Sequence, residues 1–143
     1  MEKSVARGQC AAFAAVLSLG IVPLGAFCAD AAGSLTGDWR GESVCVADRD
    51  ACRDEKALYH LKGPDERRHV TVVGSKIVDG REVVMGPPLE FTYDAAKGTL
   101  VLETERSAFR FAVTGDKLDG TLTLLPSGVV YRRISLKKDV KPA

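Results

Sequence analysis

Leu35-Thr36-Gly37-Asp38-Trp39-Arg40-Gly41-Glu42-Ser43-Val44-Cys45-Val46 decides how the rest of this 143-residue chain is read. The stretch holds the single tryptophan, and its residues alternate. Trp39, Gly41, Ser43 and Cys45 fall on one side of an extended chain, while Asp38, Arg40 and Glu42 fall on the other. A period of two marks a β-strand with one face toward a core. The chain behaves differently on the two sides of this strand.

Upstream, Lys3 and Arg7 precede an almost wholly apolar run from Cys10 to Val22, which Pro23 and Gly25 break before small residues follow. That order is the order of a secretory signal peptide, and the run is too short to cross a bilayer. Ala29-Asp30-Ala31 fits a small-x-small cleavage site, so residues 1–31 are expected to be removed. Cuts after Cys28 or Ala29 are the alternatives. The mature protein is then exported, either to a periplasm or out of the cell, with no membrane span of its own.

The cysteines agree with export. Cys10 and Cys28 belong to the leader, which leaves Cys45 and Cys52 as a pair. An even count in a small exported domain reads as a disulfide. Closing so short a loop stabilises a fold by about 2–3 kcal/mol on the loop-entropy model. The spacing is not the C-x-x-C of a redox site, and His60 and His69 stand at no zinc-binding spacing.

Downstream, period-two runs follow one another with turn residues between them. They cover Lys56 to Lys62, Arg68 to Val73, Ile77-Val78, Glu82 to Met85, Leu89 to Asp94, Thr99 to Thr104, Ser107 to Thr114, Leu118 to Leu125 and Val129 to Lys137. Asp79-Gly80 is a hairpin signal, and Gly86-Pro87-Pro88 stops a strand because proline cannot donate to a ladder. No amphipathic stretch is long enough for a helix. The expected fold is all-β: an antiparallel meander of eight to nine strands over residues 32–137, followed by a loose tail at 138–143. A long open sheet leaves two unpaired edges, so closure into a small barrel is preferred over a two-sheet β-sandwich.

Gly37-Asp38-Trp39 opening the first strand of such a meander resembles the lipocalin and calycin proteins. That resemblance implies a barrel closed at one end by Trp39 under a cation from the last strand. Arg132 is the candidate for this cation–π contact, since it shares a face with Val130, Ile134 and Leu136. The chain is shorter than a typical lipocalin and shows no helix before its last strand. It is also similar to a family of small exported bacterial proteins without an assigned activity. That similarity runs through Tyr59-His60, Ile77-Val78-Asp79-Gly80, Phe91-Thr92-Tyr93-Asp94, Gly120 to Leu124 and Tyr131-Arg132-Arg133.

The near-neutral charge of +1 and the pI near 7.7 argue against a nucleic-acid binder, which needs a one-sided basic field. No G-x-S-x-G elbow and no phosphate loop is present, and Ser43 lies on a strand. Neither an enzyme nor a cofactor protein is therefore expected. Asp48, Asp50, Asp54 and Glu55 suggest a metal only weakly, because Arg49 and Arg53 interleave with them. The leading expectation is an exported barrel that binds a small hydrophobic or amphipathic ligand. Tyr59, His60, Phe91, Tyr93, Phe109, Phe111 and Tyr131 are the candidate contacts. The alternatives are a module that binds an exported protein partner, such as a hydrolase inhibitor using residues 32–36, and a filled barrel with a structural role in the envelope.

Overall fold

A computed structural model describes residues 35–47 and 51–140; the proposed leader and cleavage sites lie outside them. Nine strands follow in order: β1 (Gly37–Cys45), β2 (Glu55–Lys62), β3 (His69–Val78), β4 (Arg81–Val84), β5 (Leu89–Asp94), β6 (Thr99–Glu103), β7 (Ser107–Thr114), β8 (Lys117–Leu124) and β9 (Val129–Lys138). All pairings are antiparallel, and the described residues contain no helix.

Eight of these strands close on themselves. Neighbouring strands pair around the ring from β1 through β9, β8, β7, β6 and β5 to β3, and β2 joins both β3 and β1. Closure leaves those eight strands without a free sheet edge, which removes the liability an open meander would carry. β4 is the extra strand. It folds back on the outer half of β3 from Ser75 to Val78, beside the stretch where β5 pairs with residues 69 to 72. Its reversal at Asp79-Gly80 has φ of 50° and 76°, the two positive values that a tight primed hairpin turn requires.

The sequence splits Arg68–Val73 from Ile77–Val78, but the structure joins them as one ten-residue strand. Gly74 is the apparent gap, and it is filled by a neighbour. Tyr59 is its register partner on β2, and the tyrosine ring lies 3.6 Å from where a Cβ on Gly74 would stand. Gly120 on β8 repeats the arrangement more tightly. It faces Phe111 on β7, and any Cβ there would overlap that ring and the Arg110 carbonyl. Each glycine leaves room for an aromatic side chain from the adjacent strand, which fills the core in its place.

The barrel interior is an apolar cluster in which Leu35, Trp39, Val70, Phe91, Leu100 and Leu118 are completely or almost completely buried. Tyr59 meets Phe111 edge-on at 6.4 Å between ring centroids, and Phe91 meets Phe109 at 5.7 Å. These are favourable aromatic geometries. One end of the barrel is tied shut: the Trp39 indole N–H donates to the Leu35 carbonyl at 2.9 Å. Thr36 is held there too, exchanging hydrogen bonds with the backbone of Gly63.

The last residues are not a loose tail throughout. Lys138 ends β9 and donates its N–H to Asp116, and Asp139 donates to the Asp38 carbonyl. The Asp139 carboxylate accepts from Arg40 at 2.8 Å. Residues 141–143 lie outside the described residues.

Candidate functional site

Opposite the Trp39 end, the barrel is hollow. A cavity of about 270 Å³ opens among the last residues of β1 and β8 and the first residues of β2, β5, β7 and β9. Its apolar wall is made by Tyr59, Val72, Phe91, Phe109, Leu122 and Ile134. Met85, Gly86, Pro87 and Leu89 form its rim, where the chain leaves β4 for β5. An eight-stranded barrel has an interior just wide enough to be filled by side chains or to hold one small ligand. This one does both, at different ends.

A polar pole interrupts the apolar wall. Ser43, on the inward face of β1, stands beside Arg132 of β9 and Glu55 at the start of β2. The Arg132 guanidinium donates to the Ser43 hydroxyl at 3.2 Å and to its carbonyl at 3.4 Å. It lies 3.5 Å from the Glu55 carboxylate, and both side chains are mostly buried, at 13% and 19% exposure. Lys76 of β3 also reaches Glu55, at 3.6 Å. The Tyr59 hydroxyl belongs to the same region. Burial pushes its pKa up to about 12, with Arg132 pulling it down and Glu55 pushing it up.

The disulfide frames this end. Cys45 and Cys52 are joined, with Sγ atoms 2.09 Å apart. Asp54 accepts from the Cys45 N–H at 2.8 Å, so this carboxylate is engaged in holding the loop. Among the described residues no cluster of three or more His, Cys, Asp or Glu is placed to hold a metal ion; Asp48 and Asp50 are outside them.

The structure sorts the seven candidate contacts. Tyr59, Phe91 and Phe109 line the cavity. Phe111 and Tyr93 are core residues, buried but not on its wall. Tyr131 sits at a bulge in β9, with the Arg132 guanidinium 5.5 Å from its ring centroid. His60 belongs to the outer face of the barrel. Its Nδ1 is 2.7 Å from Asp38 and its Nε2 is 2.6 Å from Glu82.

Arg132 does face inward, but it does not stack on Trp39. The cation over the indole is Lys138, with Nζ 5.8 Å from the ring. Lys138 is the register partner of Trp39, whereas Arg132 pairs with Cys45, six residues further along β1. At about 3.3 Å per residue that is roughly 20 Å of strand. The sequence weighs Ser43 only as a nucleophile and Glu55 only as a weak metal ligand, and it does not single out the Met85-Gly86-Pro87 rim. A signal was present for Ser43, a polar residue on the face that also carries Trp39.

These features define a class: a small disulfide-bonded antiparallel barrel, plugged at one end and hollow at the other. This closed meander is the architecture expected from the lipocalin resemblance, and no helix among the described residues is long and apolar enough to cross a membrane. No protein-family model matches the chain, and no curated protein matches it either.

Proposed function

We propose that this protein is an exported, non-enzymatic barrel that binds a small hydrophobic or amphipathic molecule in its open end. The observation that carries this reading is the cavity of about 270 Å³ with an apolar wall and a single polar pole. A cavity of about 150 Å³ is enough for benzene, so the volume here suits a ligand of about a dozen heavy atoms. The disulfide and the leader-like start of the chain support a periplasmic or extracellular location.

Native mass spectrometry of the mature protein, taken from the exported fraction of its own host, tests the reading. A retained small-molecule mass, lost on denaturation, is expected. Leu89→Trp places a large side chain at the cavity rim and is expected to abolish retention while leaving the cooperative unfolding transition in place. A bare mass for the unaltered protein, together with no uptake of added nine-carbon amphiphiles, would overturn it.

A further inference from the structure

We infer that the ligand carries an uncharged head that both donates and accepts hydrogen bonds, such as a hydroxyl or a primary amide, and not a carboxylate. The inference rests on the binding function proposed above and concerns the same cavity. Arg132 and Glu55 are the charged side chains on the cavity wall among the described residues, and they stand side by side. Arg132 has donors only, and an ionised Glu55 has acceptors only. A hydroxyl or primary amide placed against the pair can accept from the guanidinium and donate to the carboxylate at once. Ser43 adds a hydroxyl that can take either role.

Charged heads are penalised on both sides. A carboxylate head would have to compete with Glu55 for the guanidinium, and would bring a second negative charge against Glu55, whose side chain is mostly buried, so that the repulsion is weakly screened. An ammonium head meets the same objection from Arg132. Lys76 also leans on Glu55, but it does not line the cavity and its side chain is 37% exposed. Water and salt therefore screen its charge more than they screen that of Arg132, which is 13% exposed. The apolar remainder of the ligand would lie along Val72, Phe91, Phe109 and Leu122.

Four probes of equal length decide the matter: nonan-1-ol, nonanamide, nonanoate and nonylammonium. Their affinities for the mature, disulfide-bonded protein would be measured by isothermal titration calorimetry at pH 7.5. Nonan-1-ol and nonanamide are expected to bind about tenfold more tightly than either charged probe, the scale set by one buried polar group left unpaired. Glu55→Gln should move the preference to nonanoate, and Arg132→Gln should move it to nonylammonium. If a variant does not fold, the ranking on the unaltered protein decides alone. A charged probe that binds as tightly as the neutral ones would overturn the inference and leave the cavity's binding role intact. Failure of all four probes to bind would overturn the inference, and together with a bare native mass it would overturn the binding role as well.

Discussion

Trp39 shows what one residue does here. Its ring is completely buried, its N–H is satisfied by the Leu35 carbonyl and Lys138 lies over its face. Trp39→Phe removes the hydrogen bond and some volume, and leaves the Leu35 carbonyl without its donor. It should destabilise the barrel by about 1–2 kcal/mol. Trp39→Ala should cost about 3–5 kcal/mol. Urea unfolding followed by far-UV circular dichroism measures both, and an alanine variant as stable as the parent would show that the end is not closed by this ring. The exchange of Arg132 for Lys138 belongs to this scale too. A period of two tells which face a side chain occupies. It does not tell how far along the barrel that side chain stands, because height depends on the register between β1 and β9.

At the scale of the element, β4 stands apart. All four of its side chains are exposed, and it pairs only with β3. A side-chain clamp adds to that pairing: His60 bonds Asp38 of β1 through one ring nitrogen and Glu82 of β4 through the other. Only the imidazolium can donate from both nitrogens. The pKa of His60 is accordingly raised, first by the bond to Asp38 and then by that to Glu82. Glu82 is held below the ordinary glutamate range by the Ser75 hydroxyl beneath it and by His60. Ser75 Oγ is buried and has no hydrogen bond of normal geometry, so its effect on Glu82 is that of a nearby dipole.

The direction of the pH dependence follows from the raised value. A group whose folded pKa lies above its unfolded one contributes stability that is complete below the unfolded pKa, near 6.5, and lost as pH rises through the folded value. Hydrogen exchange of the β4 amides, corrected for the intrinsic pH dependence of exchange, should therefore show protection falling from pH 6 to pH 9. His60→Asn should flatten that change. Identical profiles for the two proteins would mean that His60 does not hold β4. Because β4 leads directly into the Met85-Gly86-Pro87 rim, the clamp also bears on the mouth of the cavity.

At the scale of the molecule, two closures act together. The β2–β3 pairing makes the sheet continuous, and the Cys45–Cys52 bond secures the β1–β2 connection at the open end. Replacing both cysteines by serine should lower stability by about 2–3 kcal/mol, the loop-entropy estimate for so short a loop. The barrel should stay folded, because its core lies in the hydrophobic cluster and not in that loop. Denaturant unfolding of the double variant checks this, and loss of the cooperative transition would show that the bond is needed for the fold itself.

Apart from β3, which the sequence splits at Gly74, the strands, their inward and outward faces, the turn positions and the disulfide pair were written in local pattern: alternation, Gly and Pro punctuation, and a cysteine pair. A β-strand exposes its faces through a fixed period of two, so one residue and its neighbours suffice to read them. The all-β meander and the inward Ser43 and Arg132 were legible for that reason. What the tertiary structure alone decided was which inward residues meet. Register between strands far apart in sequence put Lys138 and not Arg132 over Trp39, brought Glu55 beside Arg132, and carried His60 outward to Asp38 and Glu82. It also left the open end hollow, since a cavity is the difference between the barrel's girth and the volume of the side chains at one level. No single strand contains that difference.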